Sequence, residues 1–105
     1  MAESEKVLHM IKITTENTRK FNIWWAKESL PHWIAHGGKH IGSYVYKVGG
    51  PTNVIIRLFE WESLAKWEEW NKWLFGSAEG KDLLARIAPY GVLTEAYLLI
   101  PAPTA

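Results

Sequence analysis

The chain has 105 residues, 48% hydrophobic and 22% charged, with a net charge of +1, a balance that fits one folded domain with one core and excludes a disordered segment. The near-neutral charge excludes a general electrostatic grip on nucleic acid or on an acidic membrane surface, and no apolar run approaches the roughly 20 residues that span a bilayer. There are no cysteines, so disulfides, thiolate metal sites and a cysteine nucleophile are out, and a reducing, cytoplasmic compartment is the expected setting.

Tryptophan is the compositional anomaly. Seven Trp stand beside four Tyr and three Phe, more aromatic volume than a small interior readily absorbs. Some of these rings are expected to line a pocket or a subunit interface.

Residues 1–5 and 101–105 read as polar or proline-rich tails, the first unlike a secretory leader. Residues 6–13 alternate as a strand, with Val7, His9, Ile11 and Ile13 on one side and Leu8, Met10 and Lys12 on the other. Thr14, Thr15 and Asn17 can cap a helix that runs to about His36 and stops at Gly37-Gly38. Residues 40–48 and 53–61 make a hairpin around Gly49-Gly50-Pro51-Thr52. Ser63 caps a second helix to about Phe75. After a break at residues 76–80 comes a short helix at 81–88, then a last strand at 92–100. The order strand, helix, strand, strand, helix, strand is the ferredoxin-like α+β pattern: an antiparallel sheet with helices on one face. In the third strand both the Val54/Ile56/Leu58 row and the Ile55/Arg57/Phe59 row are largely apolar. A sheet wet on one side alternates more strictly, so both faces are expected to be covered, the second by another copy of the chain in a twofold homodimer.

Several segments carry a family resemblance: Lys27-Glu28-Ser29-Leu30-Pro31; His36-Gly37-Gly38-Lys39 followed by Ile41-Gly42; Arg57-Leu58-Phe59-Glu60-Trp61-Glu62-Ser63-Leu64; and the closing Ile100-Pro101-Ala102-Pro103. In order and spacing, over nearly the whole chain, they resemble the NIPSNAP-type domains of the dimeric α/β-barrel superfamily. The resemblance implies two ferredoxin-like subunits joining their sheets into a barrel with helices outside. It supplies no catalytic motif. The wider superfamily includes cofactor-free monooxygenases, isomerases, cyclases and haem proteins, and its sites usually lie in a cavity between each subunit's sheet and helices. Haem-degrading relatives bind iron through a histidine on the second helix. No histidine lies between Asn53 and Ala105 here, which argues against that mode, and no cofactor is called for.

Candidate functional residues fall in four groups. On the first helix Ile23, Ala26, Leu30, Trp33 and Ile34 form an apolar stripe, read as the core face. Phe21, Trp25, Glu28 and His32 lie roughly opposite, with His36 a turn on. Glu28 and His32 are four apart and able to meet, a carboxylate–imidazole pair suited to general acid–base catalysis, although a solvated pair beside surface aromatics has the same spacing. His32, His36 and His40 recur every four residues, but Gly37-Gly38 takes His40 off the helix and no third ligand is in reach, so no metal site is assigned. His9 and Arg57 interrupt apolar strand rows. Arg57 and Glu95 satisfy their burial either by a structural charge pair, with each other or of Glu95 with Lys12, the preferred reading, or by forming the polar end of a ligand pocket, into which His9 is able to project. On the second helix Leu64, Trp67, Asn71, Leu74 and Phe75 read as core, leaving Trp70 and Trp73 at the edge to wall a cavity or meet a partner subunit. Stacking on single-stranded nucleic acid is disfavoured by Glu60, Glu68 and Glu69 close by. The sequence thus points to a homodimeric pocket protein for a small apolar or aromatic molecule, with cofactor-independent proton transfer or oxygenation as the chemistry such a pocket hosts. The alternative is a non-catalytic interaction protein whose aromatics serve only core and interface.

Overall fold

A computed structural model describes residues 5–103; the outer parts of both expected tails, residues 1–4 and 104–105, lie outside the described residues. Strand β1 (Val7–Thr14) leads into helix α1 (Thr18–Trp24), capped by the Asn17 side chain on the Lys20 N–H. A π-helical turn (Trp25–Ser29) joins α1 to α2 (Leu30–Ala35), and Gly37, at a φ of 98°, turns the chain out of the helix. The hairpin of β2 (Lys39–Val45) and β3 (Val54–Trp61) follows. Helix α3 (Leu64–Gly76) is capped by Ser63, and α4 (Ala78–Ala85) by Ser77. A 3₁₀ turn (Ala88–Tyr90) precedes β4 (Leu93–Leu99). The strands form one antiparallel sheet in the order β2-β3-β1-β4, the ferredoxin-like arrangement expected from the element order. Several boundaries moved by up to three residues. β2 ends three residues before the expected Val48, and α4 starts at Ala78 because Ser77 caps it, shrinking the expected break.

Register decides which row of each strand faces the helices. His9 lies opposite Phe59, Ile11 opposite Arg57 and Ala96, Ile13 opposite Ile55 and Thr94. Partners in an antiparallel ladder share a face, so these residues and Trp61 form the helix-covered side, and His9, Ile11, Ile13, Ile55, Arg57, Phe59 and Trp61 are buried. The other face carries Leu8, Met10, Ile56, Leu58, Tyr44, Leu93, Tyr97 and Leu99 by the same register. Among the described residues no helix packs over it, and Tyr97 and Leu99 remain 45% and 41% exposed.

The first helical segment corrects the sequence reading. Ile23 and Ile34, expected in the core, are 60% and 55% exposed, while Phe21, Trp25, Ser29 and Trp33 are buried. In a straight α-helix residues four apart drift by ~40° per step, so Phe21 and Trp33 would diverge. The π turn widens the coil between them: the Leu30 N–H bonds to the Trp25 carbonyl, five residues back. Pro31 has no N–H to restore the α pattern at the next position. The wider turn cancels the drift, and one row at four-residue spacing meets the sheet. The second helix is corrected as well. Trp70, expected at the edge, is 1% exposed, packed between Trp33 and Trp61 at ring-centroid distances of 4.5 and 6.1 Å, whereas Leu64 and Phe75 are exposed.

Helices α3 and α4 meet at Gly80, which is buried. A Cβ there would overlap the carbonyl oxygens of Trp73 and Leu74 at the end of α3. Gly80→Ala is therefore expected to cost about 2 kcal/mol or more in chemical denaturation, whereas Gly76→Ala, which meets nothing within 4 Å, stays within about 1 kcal/mol of the parent. Equal effects of the two substitutions would refute the close approach.

Candidate functional site: a tryptophan-walled cavity with a buried arginine

Between the helix-covered face of the sheet and the helices lies a cavity of about 170 Å³. The sheet supplies His9, Arg57 and Ala96; the helices supply Trp25, Trp67 and Trp70 among others, and no Asp or Glu lines it. An apolar cavity of about 150 Å³ holds one benzene ring, so the volume suits a single aromatic ring with a substituent.

Arg57 is its most unusual wall. The side chain is fully buried without a carboxylate partner among the described residues. Its guanidinium carbon lies 3.5 Å from the centroid of the Trp25 ring, in cation–π contact. Nη1 donates to Asn22 Oδ1 at 2.8 Å and to Ser43 Oγ at 2.7 Å, which occupies both of its hydrogens. Nε and Nη2 have no protein partner. Burial pulls the Arg57 pKa down to about 9, which leaves the group cationic at neutral pH. Ser43, accepting from Arg57, is also hydrogen-bonded to His40 Nε2 at 2.9 Å. The His40 pKa is lowered by burial first and by the Arg57 charge second, against a raising bond from the Gly42 backbone. The charge pair between Arg57 and Glu95, preferred from sequence, does not form. Glu95 lies opposite Lys12 in the ladder and so on the other side of the sheet from Arg57, where it accepts from the Tyr97 hydroxyl at 2.6 Å.

His9 is buried among Trp33, Trp61 and Trp67. Its Nδ1 accepts from Trp61 Nε1 at 3.3 Å, so the neutral ring carries its proton on Nε2. Burial pushes its pKa down to about 4. Of the other candidates from sequence, Trp25 and Trp70 line the cavity, and Glu28, His32 and Trp73 do not. Glu28 lies 3.5 Å from Arg86 in an ion pair. His32 stacks on Trp73 at 5.3 Å and His36 packs on the same ring at 4.5 Å, while His36 Nδ1 bonds to the His32 carbonyl. No hydrogen bond joins Glu28 to His32 among the described residues, and no group of three or more metal-ligating side chains occurs there. Trp67, read from sequence as plain core, lines the cavity with a buried and unpartnered Nε1. Ser43 was also missed. Its position was legible in principle, because a hairpin centred on Gly50 places it opposite Arg57.

No protein-family model and no curated protein matches the sequence. Solved structures do match in fold. A NIPSNAP family protein from Agrobacterium tumefaciens superposes with a TM-score of 0.77 at 17% identity, covering 97% of this chain and 93% of that one. The chain has the NIPSNAP-type ferredoxin-like fold. Similar too are SnoaB, a cofactor-independent oxygenase from Streptomyces nogalater (TM-score 0.68, 10% identity, 95% and 96% covered), and a dimeric ferredoxin-like protein from an uncultured marine organism (TM-score 0.63, 12% identity, 94% and 97% covered). At these identities the likeness is one of fold. No helix among the described residues is long and apolar enough to cross a membrane.

The buried state of His9 has a pH signature. Between pH 6.5 and 4 the unfolded chain takes up a proton at this position that the folded chain refuses, so stability falls as pH falls. A shift from 6.5 to about 4 corresponds to a loss of about 3 kcal/mol once the pH has passed through the whole window. NMR titration should show the His9 ring protons unmoved from pH 7.5 to 5. A His9 midpoint near 6.5 would mean that the ring is hydrated and the wall open.

Proposed function

We propose that the chain is a cytoplasmic, homodimeric pocket protein that binds a small aromatic molecule in the cavity between its sheet and helices. The observation that carries this reading is the cavity itself. Side chains crowd round it, with Trp25 and Trp70 in its wall and Arg57 and His9 as its polar groups, and they do not fill it. Aromatics serving only core and interface would be expected to close such a space, because interiors pack to crystal-like density.

The homodimer is supported by the uncovered sheet face. Leu58, Met10 and Tyr97 form one row across three strands, flanked by Ile56, Leu8 and Leu99, an apolar surface of the sort that monomers rarely leave to water. An isologous contact between two such faces would bury it, and one of the structural neighbours is described as dimeric.

A second reading makes the cavity a reaction chamber for cofactor-independent proton transfer or oxygenation. The fold likeness to an oxygenase that needs no cofactor favours it, as does a cation able to stabilise a developing oxyanion. Against it, the cavity lacks a base: no carboxylate lines it, and His9, at about 4, is too weak a base near neutral pH. The Glu28 and His32 pair stays outside this reading because neither residue lines the cavity. Binding is therefore the better-supported function.

Two measurements test the reading. Titration with toluene should quench tryptophan fluorescence saturably in the parent, and Ala96→Phe, which projects a ring into the cavity from β4, should abolish the response while the fold survives. An unaltered response in Ala96→Phe would place binding elsewhere. Sedimentation should give a dimer at micromolar concentration and a monomer for Leu58→Asp; a compact parent monomer would remove the assembly claim.

A further inference from the structure

Among the described residues, the buried polar side-chain atoms that lack a partner are Arg57 Nε, Arg57 Nη2 and Trp67 Nε1. All three are N–H donors, and both residues line the cavity. Leaving a buried donor unmade is costly, and more so for a charged group. The two free arginine nitrogens are not scattered. With Nη1 spent on Asn22 and Ser43, the N–H bonds of Nε and Nη2 run side by side along one edge of the planar group. That edge is one of the two by which guanidinium grips a carboxylate through parallel hydrogen bonds. Stacking on Trp25 and the two bonds from Nη1 fix the plane, so the fork is set before any ligand arrives. His9 adds a further donor, its Nε2–H, to the lining. The cavity thus holds a positive charge, unspent donors and no acidic side chain.

From this we infer that the ligand of the cavity is an anion, a small aromatic carboxylate whose carboxylate lies on the Nε/Nη2 edge of Arg57 and whose ring packs among the tryptophans. The inference rests on the pocket reading above and narrows it. A carboxylate on that edge gives the buried cation the counter-charge the chain itself does not provide, and it uses donors that are otherwise wasted. A neutral ligand of the same shape leaves the charge uncompensated.

Benzoate and benzamide, nearly identical in shape and differing in charge, make the test. Calorimetric titration of the parent protein at pH 7 is expected to show benzoate at least about tenfold tighter than benzamide, the value of one good charge-assisted contact. Arg57→Met should remove that preference. Arg57→Lys, which keeps the charge and loses the parallel fork, should give an intermediate preference. If toluene binds but the parent takes benzoate no more tightly than benzamide, the donors are hydrated and the anion inference is overturned while the pocket stands. If none of the three binds, pocket and anion fall together. The parent comparison decides the matter even if Arg57→Met does not fold.

Discussion

A guanidinium withdrawn from water into a small core loses several kcal/mol of hydration, and among the described residues no carboxylate compensates for the charge of Arg57. The residues around Arg57 can be understood as the response to that cost. The Trp25 ring lies against its flat face at 3.5 Å, and Asn22 and Ser43 accept from one nitrogen. A cation over a desolvated indole gains about 2 kcal/mol, and each hydrogen bond to a charged group about as much. These contacts hold the group in place without neutralising it. Arg57 lines the cavity, so its charge stands beside the space that a ligand acceptor would enter.

The same constraint reaches into the backbone. Trp25 and Asn22 come from the first helical segment, and they meet Arg57 only because the π turn at Trp25–Ser29 brings Phe21, Trp25, Ser29 and Trp33 onto the sheet in one row. Such turns inside α-helices often mark functional positions. Beyond Trp25 the rings continue as a packed series. Trp33 stacks on Phe59 at 4.4 Å, and Trp70 links Trp33 to Trp73. One end of the series is the buried wall of the cavity, and the other is the His32 and His36 cluster. The aromatic excess noticed in composition therefore has a structural use.

Much of the fold was legible because it rests on local chemistry. Alternation in β1, cap residues Asn17 and Ser63, and the stop at Gly37 each act within a few residues of themselves. The helix-facing row of β3 was not legible, since both of its rows are apolar and only pairing with β1 separates them. The first helix was misread because its stripe was traced on a regular 3.6-residue repeat, which a π turn breaks; Pro31 was the local sign of an irregularity but not of its direction. For Arg57 the burial was foreseen and the partner was not. A sequence shows that a charge sits in an apolar row, but the identity of its neighbours depends on register and helix phase together. Trp67 was hidden by its ordinary helical spacing, and only the three-dimensional lining reveals that its N–H is unspent.

The account holds that Arg57 is kept for what it presents to the cavity and not for what it adds to stability. Replacing a buried charge by an apolar side chain of similar volume is often neutral or stabilising, whereas losing a structural charge network costs about 3–5 kcal/mol. Urea denaturation of the parent and Arg57→Met, at matched protein concentration because the assembly enters the equilibrium, separates the two cases. The account predicts a free energy of unfolding within about 1 kcal/mol of the parent, or above it. A loss of more than about 3 kcal/mol would mean that Arg57 is a strut of the core, and would contradict its assignment as a group held ready for a ligand.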